Sequence, residues 1–292
     1  MRTKSLLAVA VGVATMSAVA DSSYDGYNYG DSMPPMEPEP ASSYNNEVKA
    51  KLSVGYDSRY AYKDIVAAPF LNHSGVFTFG GELETKLISD WKQQIGLEYL
   101  SFCDGELTDN NAFNVEWKAL KELLPNLSFR GGYEFNYGGL PGEMSKHMGK
   151  APHSFAQAFT AGLVYDDPGH GYFGTFDVQY GFYGMQGWRF DLNAGKRWTG
   201  VFHDRIDLEL SAGTAYSCSY WGSSVNGFDQ FNVKLAAPIR ISGVDESRGF
   251  RISPFVQLNW GGNNRSEIRR YAGGSISADS VLRVGVEASY QF

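Results

Sequence analysis

Residues able to do covalent chemistry are few and scattered. The densest group is Ser145-Lys146-His147 with His153-Ser154, a nucleophile-and-base composition of the sort a hydrolase uses. A serine nucleophile also needs an orienter for its base and donors for an oxyanion, and no motif supplies either. His73, His147, His153, His170 and His203 show no metal-ligand spacing, so neither a metal nor another cofactor is expected. Gly142 to Lys150 lacks the spacing of a phosphate-binding loop. Cys103 and Cys218 are a candidate disulfide, with two separate thiols as the alternative. The chain reads as a non-enzyme, and the chemistry left to it is electrostatic.

That chemistry lies on one face of a repeating pattern. Side chains of a strand point alternately to its two faces. In this chain Val48, Ala50, Leu52, Val54 and Tyr56 share a face opposite Lys49, Lys51, Ser53, Gly55, Asp57 and Arg59. The same period places Glu82, Glu84, Glu98, Glu116, Arg130, Glu134, Asp177, Arg189, Asp191, Arg251, Arg283 and Glu287 opposite runs of Phe, Leu, Val, Ile, Trp and Tyr. In the last stretch, Leu282, Val284, Val286, Ala288, Tyr290 and Phe292 oppose Arg283, Gly285, Glu287, Ser289 and Gln291. If the apolar face meets lipid, these charged residues are the lumen or pore-lining candidates. Acids and bases nearly cancel among them, so neutralising cross-strand pairs are expected. Pairing about the middle of the first loop would bring Lys51 opposite Glu84 or Lys86. Arg59 and Arg283 are the candidates for an anion-attracting point, with salt-bridging to Asp57 or Glu287 as the alternative.

The elements that carry these residues number about twelve, an even count suited to an antiparallel up-and-down transmembrane β-barrel. The expected outer loops are approximately 63–74, 103–112, 138–152, 183–187, 217–226 and 261–280; the inner turns are approximately 88–91, 121–126, 166–171, 199–205 and 238–248. Tyr60, Tyr62, Trp91, Tyr137, Tyr172, Trp188, Trp198, Trp260 and Tyr290 fall near strand ends, where interfacial aromatic girdles sit. A soluble sandwich or secreted barrel would show the same period with the apolar face inward.

Export distinguishes these folds. Arg2 and Lys4 precede the apolar run Leu6 to Met16, and Ser17-Ala18-Val19-Ala20 has the form of a signal-peptidase site, with cleavage expected after Ala20. No later window approaches the roughly 20 apolar residues of a membrane helix. The chain holds 25 basic and 32 acidic residues; loss of Arg2 and Lys4 leaves about 23 bases, a net charge near −9. Part of that excess is local, in Asp21, Asp25, Asp31, Glu37, Glu39 and Glu47. With no basic face, nucleic acid is not an expected partner. Residues 21–46, rich in Ser, Tyr, Asn and Pro, have no hydrophobic period and read as a disordered tail. The expected organisation is a signal peptide at 1–20, the tail at 21–46 and an outer-membrane barrel at 47–292.

Two resemblances sharpen this. The final strand, closing on Tyr290-Gln291-Phe292, resembles the carboxy-terminal strand of bacterial outer-membrane barrels, which implies recognition by their insertion machinery through Phe292. Ser53 to Ile65 resembles the opening strand of the TorF-like porins. Ser58 and Tyr60 match that pattern, while Tyr62, Lys63 and Asp64 depart from it. The resemblance implies a bacterial outer-membrane pore for small hydrophilic solutes or ions, with lipid as its surroundings and no solute or oligomeric state specified. The alternative is a non-conducting structural or adhesive barrel working through loops 138–152, 217–226 and 261–280, the second with Cys218, Tyr220 and Trp221. A hydrolase is the third reading.

Overall fold

The computed structural model describes residues 48–59, 61–62, 65–66, 75–88, 90–102, 111–138, 155–221, 226–242, 249–264 and 280–292. Chain contacts divide the protein after Val48. The expected signal peptide and tail lie outside the described residues. The unit from Lys49 to Phe292 is built from β1 (Lys49–Asp57), β2 (Val76–Ile88), β3 (Trp91–Phe102), β4 (Ala112–Leu124), β5 (Leu127–Tyr137), β6 (Phe155–Asp167), β7 (Tyr172–Tyr183), β8 (Gly187–His203), β9 (Ile206–Cys218), β10 (Asn226–Ala236), β11 (Gly249–Gly261) and β12 (Val281–Gln291). Every one pairs antiparallel with its sequence neighbours, and β12 pairs with β1 from Lys51↔Gln291 to Asp57↔Gly285. The twelve strands thus close into a barrel with no open edge among them. A backbone bond from Phe292 N to Ala50 O, 2.9 Å, extends the closing seam to the last residue.

Closure decides which face is inside. Leu282 is 60% exposed and Leu192 53%, whereas Asp177 is 7% and Arg189 0%. The charged face therefore lines the interior and the apolar face forms the outer wall, the arrangement of a membrane barrel and the reverse of a soluble one. Among the described residues no helix is long and apolar enough to cross a membrane; the crossing elements are the strands. Outward aromatics pair between neighbouring strands, as in Tyr180 with Trp188 at 4.8 Å and Phe231 with Trp260 at 6.3 Å between ring centroids. Such cross-strand ring pairs each contribute about 0.2–1 kcal/mol. Tyr137, Tyr172, Trp188, Trp198 and Tyr290 are all exposed at strand ends.

The boundaries differ from expectation in places with physical causes. β1 ends at Asp57, so the first hairpin pairs Asp57 with Val76 and brings Lys51 opposite Glu82 in place of either expected partner, Glu84 or Lys86. The shift is even and leaves every side chain on its face. Residues 61–62 and 65–66 form a separate two-stranded piece. β8 runs through the expected turn at 199–205 as far as His203, because Gly200 at φ 64° and an irregularity between Trp198 and His203 absorb the extra residues. The connection after β10 contains a short strand, Ile239–Ser242, which pairs with β9 and β11 once Pro238 has interrupted the ladder.

Candidate functional site

The lumen wall is the candidate site. On the side formed by β12 and β1 to β5, with β10 and β11 contributing, it encloses a cavity of about 530 Å³. Of the sequence candidates, Lys51, Glu82, Glu98, Glu116, Glu134, Arg283 and Glu287 line it, joined by Asp57 and Lys234. Two of the carboxylates are matched within the lining. Arg283 pairs with Asp57, and Lys51 Nζ lies 3.0 Å from Glu287. Lys118 approaches Glu116 at 2.6 Å. Glu98 accepts from Asn114 Nδ2 at 2.8 Å and Glu134 from Asn136 Nδ2 at 2.9 Å. Glu116 stands directly opposite Glu134 on the neighbouring strand, a like-charge juxtaposition that the adjoining lysine and amides offset. Six lining carboxylates against three cationic side chains leave the cavity with a negative surplus.

Phe255 faces inward and meets the cations of the opposite sign set. Lys234 Nζ lies 4.5 Å from its ring centroid and the Arg283 guanidinium 6.0 Å. A Cβ on Gly285 would sit 2.6 Å from that ring, so only glycine lets Phe255 lie flat against β12 here. Arg283 is thus engaged by Asp57, by Gln257 Oε1 at 3.4 Å and by Phe255. That is the salt-bridging alternative for this arginine. Arg59 lies in a bend beyond β1, where its N–H donates to Asp57 Oδ1 at 3.0 Å.

The other side of the wall is tied together by ion pairs. Arg130 of β5 reaches past Gly162 of β6 to Asp177 of β7, with Nε 2.7 Å from Oδ1. Asp191 is directly opposite Asp177 and is held by Arg189 at 2.7 Å, and Arg189 also approaches Asp229 at 3.3 Å. Nearer the inner end, Arg197 pairs with Glu209 at 2.6 Å and Arg240 with Asp207 at 3.2 Å. Lys49 stands opposite Glu84, whose carboxylate accepts from Gln94 at 2.7 Å, and Arg251 is opposite Ser289 on β12. Interior charges this close are tolerated only with partners, since each carries a desolvation cost of several kcal/mol.

Two interior residues, Asp229 and Phe255, were not singled out from the sequence, and two more were placed in the wrong setting. A signal for Asp229 exists: Phe228 and Phe231 both face outward yet are three apart, which a period of two cannot accommodate. The irregularity opposite Ala215 and Tyr216 resolves this and aims Asp229 as well as Gln230 inward. Phe255 was hidden among apolar neighbours. Tyr220 and Trp221, expected in an outward-working loop, are completely buried; the loop reading of these two residues is corrected, because no local pattern distinguishes a loop that turns inward. Cys218 is a free thiol. Cys103, Ser145, Lys146, His147, His153 and Ser154 lie outside the described residues. Among the described residues, no group of three His, Cys, Asp or Glu could hold a metal ion.

No protein-family model matches the chain, and no curated protein matches it either. Solved structures similar to it include the KdgM porin, at 9% identity and a TM-score of 0.44 over 83% of this chain and 99% of that one. An outer membrane channel from Pseudomonas putida F1 shares 8% identity with a TM-score of 0.48, over 88% of this chain and 100% of the other. The NanC porin shares 8% with a TM-score of 0.45, over 82% and 98%.

Proposed function

We propose that the protein is a passive outer-membrane pore for small hydrophilic solutes and ions, with a preference for cations. The observation that carries this reading is the cavity of about 530 Å³ inside a closed barrel, lined by Asp57, Glu82, Glu98, Glu116, Glu134 and Glu287 against Lys51, Lys234 and Arg283. A wall with a surplus of one sign raises the local concentration of the opposite ion and sets selectivity without a fixed binding site. Twelve strands lie between the small, filled barrels and the open porins, which suits a narrow path. Ser53 to Ile65 supports placing the chain with the TorF-like porins, and residues 1–20 support export to the bacterial outer membrane with removal of the leader after Ala20. The final strand ending on Phe292 supports delivery by the barrel-insertion machinery.

Planar-bilayer conductance of the purified mature protein tests the pore, with a variant lacking residues 21–46 beside it. Discrete, reproducible steps are expected, with a reversal potential on the cation side under a salt gradient. Silence from protein shown to be inserted would refute it. The second reading, a closed structural barrel, is favoured by one observation: Arg189, Tyr220 and Trp221 are wholly buried within the wall and mouth.

A further inference from the structure

The outer end of the lumen is occupied on one side. β9 ends at Cys218, and the chain turns at Ser219, held at φ 57° with its N–H bonded to Asn226 Oδ1 at 3.1 Å. The turn lies against Gly187 at the start of β8. A Cβ there would stand 2.5 Å from both Cys218 O and Ser219 C, so a bare backbone is what admits the chain. Tyr220 then lies over Gly181 of β7, where an added Cβ would be 3.2 Å from its Cε2, and its hydroxyl reaches Gln179 Oε1 at 3.5 Å. Gln179 is a buried lumen-face residue of β7. Tyr220 is therefore inside the barrel, and so is its neighbour.

Trp221 is fixed by charge. Its ring lies 5.6 Å from the Arg189 guanidinium and its Nε1–H donates to Asp229 Oδ2 at 2.8 Å. The same carboxylate accepts from Ser217 Oγ, and its other oxygen accepts from Asn264 Nδ2 at 3.0 Å, a residue that follows β11. Asp229, aimed inward by the β10 irregularity, thus gathers β8, β9, β10 and the end of β11 around one indole. Arg189, Ser217, Asp229, Tyr220 and Trp221 are all at 0% exposure. A group this well partnered and this dry is a built feature of the wall.

We propose that Tyr220 and Trp221 form a fixed internal plug that closes the outer mouth over β7 to β10. Permeation is thereby confined to the acidic side lined by β12 and β1 to β5, and Trp221 becomes a residue that determines selectivity. This rests on the pore reading above. The wall behind the plug carries Gln179, Gly181, Ala215 and Gln230, with Arg189 and Asp229 beside them as an ion pair. Removing the plug would add a second path with a smaller carboxylate surplus than the acidic side, Asp177, Asp191 and Asp229 standing against Arg130 and Arg189.

Single-channel recordings and reversal potentials of the wild-type protein, Trp221→Ala and Trp221→Phe test this. Trp221→Ala is expected to raise conductance about twofold and to lower the cation-over-anion permeability ratio, as widening toward a more nearly balanced wall requires. Trp221→Phe, which keeps the ring, should behave as wild type. A silent wild type beside a conducting Trp221→Ala would also support the plug, while refuting the resting pore. Folded Trp221→Ala with wild-type conductance and selectivity would overturn the plug, as would silence from both. Should Trp221→Ala fail to fold, Tyr220→Ala is read by the same criteria.

Discussion

Converting Glu82, Glu98 and Glu134 together to Gln should abolish most of the cation preference. These are three of the six carboxylates that line the cavity against three cations, so removing their charge removes its negative surplus. Glutamine keeps their shape and can still accept from Asn114 and Asn136. At one Debye length, about 8 Å at physiological salt, two unit charges in water interact by about 0.5 kcal/mol before screening and about 0.2 kcal/mol after it. Three such charges act on a passing ion by about 0.6 kcal/mol. Cations lose what anions gain, so the difference is about 1.2 kcal/mol, close to a tenfold change in the permeability ratio. The measurement is the reversal potential across a bilayer under a salt gradient, repeated at high salt, where screening should shrink the difference between variants. A triple variant with the wild-type reversal potential at low salt would refute the reasoning, because the wall carboxylates would then not be sensed by the permeating ion.

Three further outcomes follow from the geometry. Arg283→Gln leaves Asp57, an 8% exposed carboxylate, without its guanidinium; the barrel should lose about 3 kcal/mol, measured by urea unfolding from lipid vesicles. Leu192→Arg, placed on the outer wall where Leu192 pairs with Phe176 and Thr214 near the middle of the ladder, should cost about 2–4 kcal/mol in vesicles, whereas the same change in detergent should cost clearly less. Deleting Phe292, or Phe292→Ala, should reduce outer-membrane levels in cells while leaving refolding into vesicles nearly unchanged, separating recognition by insertion machinery from stability; equal loss in both assays would remove the recognition role.

Most of the strand rhythm was legible from the residues, because each strand must satisfy a period of two on its own; Phe155 to Tyr165, with small or apolar residues on both faces, and the irregular ladder at Asp229 were the exceptions. Even the loop after Phe182 and the long turn after Pro238, which break the alternation of long and short connections, were visible. What a local pattern does not carry is sign and closure. Alternation is identical whether the charged face turns in or out, and only the joining of β12 to β1 and of β8 to β9 makes Asp177 and Arg189 interior and Leu192 and Leu282 exterior.

By itself the sequence determined the element type, the number of crossing strands, the two faces and the identity of the charges on one of them, since these depend on neighbours within a few residues. Tertiary structure decided which charges meet. Arg130 and Asp177 are partners across a strand that separates them, Arg283 and Asp57 across the closing seam, and Trp221 and Asp229 across an inward turn followed by an irregular ladder. Their pairing sorts a nearly balanced set of charges into a locked side and an acidic side. The physical reason is that a Coulomb partner is set by distance in space, fixed only once every strand has its register and the sheet has closed.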